Sequence, residues 1–444
     1  MKKTSVNIGI IGFGTVGAGT ARILLKKRGE LESRLGFPLT LKNIADLDTE
    51  RDRGIKLPPG ILINDAQRVL NDPEIDIVVE LMGGIHPAKE FILQAIRNGK
   101  HVVTANKALL ATEGHEIFRA ARKSRVDIGF EASVAGSIPI IKVVRESLIG
   151  NRIQSIYGII NGTSNYILTK MTEEGLDFTT ALREAQALGY AEADPTFDIE
   201  GIDSAHKLTI LASLSFGIPF SFKKIYTEGI TKITPLDIQF ASEFGYKIKL
   251  LAVAKQEGDT VEVRVHPTML PKDYLIASVN GVFNAVYIEG DAIGSHLYYG
   301  RGAGEMPTGS AVVGDIADIA KNIIATQNTE YRTQTGLIQD TKYRIKKMED
   351  VQTCYYLRFS AFDKPGVLSR ISGILGNHNI SIKSMIQKGR KLEKAVPVVM
   401  MTHEARERDM MRALKEINGL PAVSGKTVYL RVEGGNNQDG RHKG

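Results

Sequence analysis

The sequence predicts an α/β protein in three parts. A doubly wound parallel-sheet domain comes first, an α+β domain second, and a small ferredoxin-like domain last. Three observations carry this. An apolar run, Val6–Ile11, leads into Gly12-Phe13-Gly14-Thr15-Val16-Gly17 and then a helical stretch. Strand-like and helical runs alternate to about residue 135, the order that winds a parallel sheet. After a polar segment, 327–350, the pattern β-α-β-β-α-β closes the chain.

Composition sets the outer bounds. At 444 residues there is room for two to four domains that each bury a core. With 43% hydrophobic and 24% charged residues, the make-up is that of a globular protein in water. The formal charge of +7 is modest, and no basic block or basic–aromatic interleaving points to nucleic acid. The N-terminal lysines and apolar run could imitate a secretion signal. The glycines, however, stand at nucleotide-loop spacing and charge resumes at Arg22, so a first strand is expected. The longest uncharged apolar stretch, Leu208–Phe220, is too short to span a bilayer. A single cysteine excludes an intrachain disulfide framework and fits a reducing, cytoplasmic compartment. That residue, Cys354 in CYYLRF, reads as a buried structural thiol.

Taken in order, Val6–Ile11 is a strand and Thr15–Lys27 a helix, with the glycine loop between them. Such a loop makes a tight turn at its first glycine and admits a pyrophosphate at its second. The third allows close packing of helix on strand, with the helix N-terminus facing the anion. This is the signature of a Rossmann-type dinucleotide site. Strands are expected at Leu39–Ala45, Ile75–Leu81, His101–Thr104 and Asp127–Glu131, with helices most clearly at Ala88–Asn98 and Ala108–Lys123. The second strand ends at Asp46, 29 positions after Gly17, where about 20 is usual; the polar stretch Lys26–Pro38 takes up the excess. An acid there accepts the adenosine ribose hydroxyls and repels a 2′-phosphate. Arg51 and Arg53 follow closely enough to reverse that preference, so NAD and NADP both stay open.

From about Gly136 the pattern becomes α+β. Arg152–Ile160 is strand-like, Asn161-Gly-Thr-Ser-Asn-Tyr turns into a helix, and Leu188–Leu214 concentrates five acids ahead of an apolar run. A helix is expected from Asp203, capped by Asp203 or Ser204. Asp203 and Lys207 share the face that continues through Ile210, Leu211 and Leu214. A solvated pair of this kind is worth under about 1 kcal/mol. On an apolar stripe, however, a lysine needs a partner, and lysine is the cation whose pKa moves most readily. His206, about 100° around the helix, is expected to pack. Strand-rich runs follow at Lys249–Ala254, Thr260–Pro267 and Asn284–Tyr287; then Gly300-Arg-Gly-Ala-Gly304 leads to a helix, Gly309–Thr326, that returns to the nucleotide domain. The last domain has strands Cys354–Phe362, Ile380–Gln387, Ala395–Thr402 and Lys426–Val432, with helices Gly366–Asn377 and Glu404–Asn418. The divisions are therefore 1–135, 136–308, the helix 309–326, a linker 327–350, 351–433 and a disordered tail 434–444.

The stretch GYAEADPT, the Asp198 after it, and the G-x-D-x-x-x-K of Gly201, Asp203 and Lys207 closely resemble the substrate signature of homoserine dehydrogenases. Asp363-Lys-Pro-Gly-Val-Leu resembles the opening of an ACT regulatory module. Together these resemblances cover the chain to about Glu433. They imply reversible NAD(P)-dependent interconversion of L-homoserine and L-aspartate 4-semialdehyde, on the route to threonine, methionine and isoleucine. Lys207 then transfers the proton, Asp203 orients it or the substrate, and Glu192 and Asp203 hold the amino acid. Thr104 and Lys107, in Thr-Ala-Asn-Lys, match a loop that reaches both nicotinamide and substrate. Gly189, Glu192 and Gly304 match further cofactor contacts, with Glu305 an unwelcome acid beside the last. Glu131 with the carbonyls of Val134, Gly136 and Ile138 matches a site for a monovalent cation, sodium or potassium. The ACT resemblance implies an amino-acid effector, threonine foremost, and a homodimer or homotetramer; a dimerisation module without a ligand is the alternative. The same residues would also suit another amino-acid semialdehyde, or an amino-acid sensor on an inactive scaffold.

Overall fold

The computed structural model describes residues 3–325, 344–387 and 395–433. The chain divides into two compact units: 1–162, 203–225 and 282–344 form the first, and 163–202, 226–281 and 345–444 the second.

The first unit is built on six parallel strands: β1 (Val6–Ile11), β2 (Leu39–Ala45), β3 (Leu62–Ile63), β4 (Ile77–Glu80), β5 (His101–Thr104) and β6 (Ile128–Gly129). Their order is β3-β2-β1-β4-β5-β6, so the winding reverses between β1 and β4. At such a reversal the crossovers leave in opposite directions and open a crevice at the carboxyl ends of the strands. Helices α1 (Thr15–Lys26), α2 (Arg28–Leu35), α3 (Ala66–Asn71), α4 (Ala88–Arg97) and α5 (Lys107–Ser124) connect them. The polar stretch after α1 is thus mostly helix. It escaped a periodicity argument because α2 buries none of its residues. The strand expected over Asp127–Glu131 shrinks to β6, followed by a 3₁₀ turn at Glu131–Ser133. A short helix, α6 (Ile140–Lys142), precedes β7 (Ile153–Ile159).

Later segments complete this unit. Helix α10 (Ile202–Phe216) starts one residue before Asp203, so Asp203 lies inside the first turn and is not the cap. Strands β11 (Phe283–Gly290) and β12 (Gly294–Arg301) form an antiparallel set in the order β12-β11-β7. Helix α12 (Glu305–Ala325) begins four residues earlier than the sequence suggested, because Pro307 is tolerated in a first turn. It does return to the nucleotide sheet. Val312, Ile316, Ile319 and Ala320 join Ile8, Ile10, Ile77 and Val79 in one buried cluster. Close approach of α12 to α1 depends on two glycines: a Cβ on Gly19 would strike the Glu305 carbonyl, and one on Gly309 would press on Gly19 and Thr20.

The second unit carries α7 (Gly162–Glu173), α8 (Phe178–Ala187), α9 (Thr196–Ile199), β8 (Tyr226–Thr227), α11 (Pro235–Glu243), β9 (Tyr246–Glu257) and β10 (Thr260–Pro271). After a short strand, β13 (Arg344–Ile345), come β14 (Gln352–Phe362), α13 (Val367–Asn377), β15 (Ile382–Gln387), β16 (Ala395–Thr402), β17 (Ala405–Arg406), α14 (Glu407–Asn418) and β18 (Val428–Val432). β9 and β10 are an antiparallel hairpin; β10 pairs with β18, and the sheet runs on through β14, β16 and β15. One face of β14 (Tyr355, Leu357, Phe359) packs on α13 and α14 through Ile371, Leu375, Met410 and Leu414. The alternate residues Tyr356 and Arg358 reach Asp237 of α11. The terminal domain is therefore one stretch of a longer sheet. Cys354 is half-buried, not fully buried. The linker as far as residue 343 and the tail 434–444 lie outside the described residues. Among the described residues no helix is long and apolar enough to cross a membrane.

Candidate active site

At the end of β1 the chain turns through Gly12, whose φ of 100° suits a residue without a Cβ. Gly17 packs so closely on the Gly12 carbonyl that any side chain there would collide, which ties α1 to the loop. Gly14 faces open space, with nothing within 4 Å of where a Cβ would stand. A backbone bare of side chain at the start of a helix, with Thr15 and Val16 opening that helix, is a fit for a pyrophosphate. The Phe13 amide donates to Asp46 Oδ2 at 2.5 Å. Arg53 does reach this corner: its Nη2 lies 3.3 Å from Asp46 Oδ1, its Nε donates to the Phe13 carbonyl at 2.5 Å, and its guanidinium sits 4.9 Å over the Phe13 ring. Glu305, the acid beside Gly304, pairs with Arg22 of α1 at 2.8 Å, which offsets its charge.

The neighbouring strand ends are held by a residue the sequence reading passed over. Glu80 closes β4 fully buried, and burial pushes its carboxyl pKa up. It accepts from the Thr104 hydroxyl at 2.7 Å and from the amides of Met82 (3.0 Å) and Gly83 (3.3 Å). Thr104 Oγ1 in turn accepts from the Asn106 amide, and the Asn106 side chain caps α5 through the Leu109 amide. The loops after β4 and β5 are thereby locked together, and Lys107 is set at the first position of α5. The only sequence signal for Glu80 was an acid ending a short apolar strand.

Lys107, Asp203 and Lys207 come together. Asp203 is 2% exposed and Lys207 8%. Lys207 Nζ donates to Asp203 Oδ2 and to the Ile160 carbonyl, each at 2.7 Å. Lys107 Nζ lies 2.9 Å from Asp203 Oδ1, and Asn161 Nδ2 donates to Asp203 Oδ2 at 2.9 Å. Burial alone would raise the Asp203 pKa, but Lys207 and Lys107 outweigh it and hold the carboxyl far below the usual range. A buried carboxylate stays charged when cations and donors surround it. His206 packs on Phe222 with ring centroids 4.2 Å apart, and burial lowers its pKa to about 4, so it is a neutral packing residue.

Glu131 is also buried, and both its oxygens accept backbone amides at the start of α6, from Ile141 and Lys142 at 2.8 Å. Burial pushes its pKa up to about 7. Its own amide donates to Asp315 of α12 at 2.8 Å, a second, half-buried acid whose pKa desolvation raises to about 8. The chain then passes Val134 and turns at Ala135 and Gly136, both with positive φ, before Ile138. A carboxylate followed along the chain by the carbonyls of a tight turn offers oxygen donors of the kind hard cations take.

The second unit holds the other expected residues. Gly189, with φ 72°, ends α8, and Glu192 is exposed on the turn that follows. Asp198 accepts from the Thr163 hydroxyl and Asp194 from the Thr196 amide, both serving local structure. Ser164 donates to the Asp198 carbonyl.

Known proteins resemble this chain almost end to end. Residues 12–131 match the family described as "Homoserine dehydrogenase, NAD binding domain", 139–317 match "Homoserine dehydrogenase", and 355–422 match "ACT domain". The chain is 47% identical over 431 residues to a homoserine dehydrogenase of Neisseria gonorrhoeae, covering 96% of this chain and 98% of that one. It is 48% identical over 434 residues to one of Pseudomonas aeruginosa, covering 96% and 99%. The crystal structure of a homoserine dehydrogenase from Thiobacillus denitrificans superposes with a TM-score of 0.91 at 47% identity, over 98% of this chain and 99% of that one. A hyperthermophilic archaeal homoserine dehydrogenase mutant, solved in complex with NADPH, superposes with a TM-score of 0.61 at 29% identity, over 74% of this chain and 99% of that one. With a buried Asp–Lys pair, a glycine loop closing the first strand and relatives matched almost end to end, the chain belongs to the homoserine dehydrogenase family, as an NAD(P)-dependent oxidoreductase with a C-terminal ACT domain.

Proposed function

We propose that Lys207 is the acid–base group of the homoserine–aspartate semialdehyde interconversion and that Asp203 orients it. The observation that carries this is one buried carboxylate flanked by two lysine ammoniums, at 2.7 and 2.9 Å. When bound, the nicotinamide supplies or accepts the hydride. An alkoxide forms on the substrate as the aldehyde carbon is reduced, and Lys207 Nζ gives it a proton; in the oxidative direction the neutral amine removes that proton. Two fixed acceptors, Asp203 Oδ2 and the Ile160 carbonyl, orient the Lys207 ammonium. Lys107, part-exposed on the other oxygen of Asp203, meets the reacting substrate in this reading, which its partial exposure supports. Glu192 and Asp203 take the substrate ammonium through charge-assisted bonds.

The glycine loop with Phe13, Thr15, Val16, Asp46, Thr104, Gly189, Glu192 and Gly304 is our reading of the dinucleotide site. Arg53 beside Asp46 supports acceptance of NADP as well as NAD. Glu131 with Val134, Gly136 and Ile138 is our reading of a sodium or potassium site. The ACT domain takes an amino acid, threonine foremost, in a homodimer or homotetramer. The acid–base proposal is tested by Lys207→Ala, which is expected to lower kcat by about 10²–10⁴-fold while NAD(P) binding stays near normal. A near-normal kcat would sink it.

A further inference from the structure

Asn284 lies on β11 with none of its surface exposed, and neither Oδ1 nor Nδ2 has a hydrogen-bond partner among the described residues. A buried amide in that state costs roughly 1–3 kcal/mol for each unmet group, so an apolar residue of the same shape would be the cheaper filling. Its surroundings suggest what meets it.

Asn284 pairs directly with Gly300 of β12, so the two share one face of the sheet. On that face a Cβ at Gly300 would stand 3.1 Å from Ile138 Cγ1 and 3.3 Å from Ser137 Oγ. Two residues on, a Cβ at Gly302 would collide with Asn284 Cγ, Oδ1 and Nδ2 together, so the flat of the amide lies on that glycine. Gly136 packs on the Gly302 carbonyl from its own side. Ser137 donates to the Arg301 carbonyl through both its amide (3.1 Å) and its hydroxyl (3.0 Å). The glycine-rich end of β12 therefore carries the turn Gly136–Ile138 and the unpaired amide side by side.

We propose that Asn284 is a further ligand of the monovalent cation, its Oδ1 joining the Glu131 carboxylate and the carbonyls of the turn. This rests on reading that turn as the cation site. An amide oxygen is a hard, neutral donor of the same kind as a backbone carbonyl. It completes the shell without adding a second negative charge against a singly charged ion.

The test uses the full chain without nucleotide, and its readout is the thermal midpoint by circular dichroism. Sodium or potassium chloride is titrated against choline chloride at constant ionic strength. An ion at concentration c that binds only the folded state raises the midpoint by stabilising it as RT ln(1 + c/Kd), so the concentration at which the rise begins reports Kd. The wild type is expected to respond. Asn284→Leu is expected to need about 10-fold more cation, or to lose the response, and Asn284→Asp, which keeps the shape and adds charge, to need less. An Asn284→Leu protein that titrates like the wild type overturns the proposal while leaving the cation site standing. A wild type with no cation response overturns both. If Asn284→Leu does not fold, Asn284→Asp decides, and an unchanged titration overturns the proposal.

Discussion

Arg53 and Asp46 meet where our reading puts the adenosine ribose of a dinucleotide, and on that reading their balance decides between NAD and NADP. Asp46 already accepts the amides of Phe13 and Asp48, one on each oxygen, so it is committed to holding the loop. Its charge, which would repel a 2′-phosphate, is offset by a guanidinium that is itself fixed by the carbonyls of Phe13, Arg51 and Asp48. An arginine held in this way loses little freedom on meeting a phosphate. Arg53→Ala is therefore expected to lower kcat/KM for NADP relative to NAD by about tenfold or more, a difference of about 1.4 kcal/mol. Initial-rate measurements with both cofactors check this. A ratio that stays put would show that Arg53 serves only to support the loop.

Among the elements, β9 and α7 are joined inside the second unit by a buried lysine. Lys249 Nζ donates to Asn165 Oδ1 (3.1 Å), the Val279 carbonyl (2.5 Å) and Asn280 Oδ1 (3.0 Å). Burial pushes its pKa down to about 7, below the usual lysine value of 10.5. Between those values the unfolded chain binds a proton that the folded chain does not. Stability from this group therefore rises with pH over the interval, and its penalty is complete below about pH 7. Lys249→Met is expected to flatten the rise in the urea midpoint between pH 7 and 10 relative to the wild type. Equal slopes would mean that the ammonium persists on its three carbonyls. Local pattern was enough to place β2 and β16 to the residue and to find the glycine loop, because apolar runs and turn chemistry are written locally. It also put Asp203 and Lys207 on a buried face, since their spacing is local. Glu80, Asp315 and Asn284 were not legible. Each is defined by partners from other elements: the loops after β4 and β5 for Glu80, Glu131 for Asp315, and Gly300 of β12 with Gly302 just past its end for Asn284. The helix α2 was missed for the opposite reason, having no buried face to give it a period.

For the molecule as a whole, the terminal domain is fastened too deeply to be a detachable regulator. Within the second unit, β18 lies beside β10, and its ends carry charge into the interior. Arg431, 1% exposed, bonds Glu407 of α14 at 2.9 Å and Glu228, just after β8, at 3.0 Å. Glu433 pairs with Arg264 and Lys255 of the β9–β10 hairpin, and these ions hold its carboxyl down to about 2 against burial. Arg358 of β14 bonds Asp237 of α11 at 2.6 Å. Removing residues 351–444 would leave Arg264, Asp237 and Glu228 without those partners. Stripping one partner from a buried ion pair costs about 3–5 kcal/mol, against a total stability of about 5–15 kcal/mol for a domain. A chain ending at Asp350 is therefore expected to aggregate or melt well below the full-length protein, and not to survive as a deregulated enzyme. Gel filtration and thermal melting of the two proteins check this. A truncated chain that stays monodisperse, melts like the full chain and turns over homoserine would show that the β10–β18 seam is dispensable. If the seam is needed, the effector response is to be probed in the intact chain, with substitutions in the turn Asp363–Gly366. Those are expected to reduce inhibition by threonine while the melting temperature stays near that of the wild type.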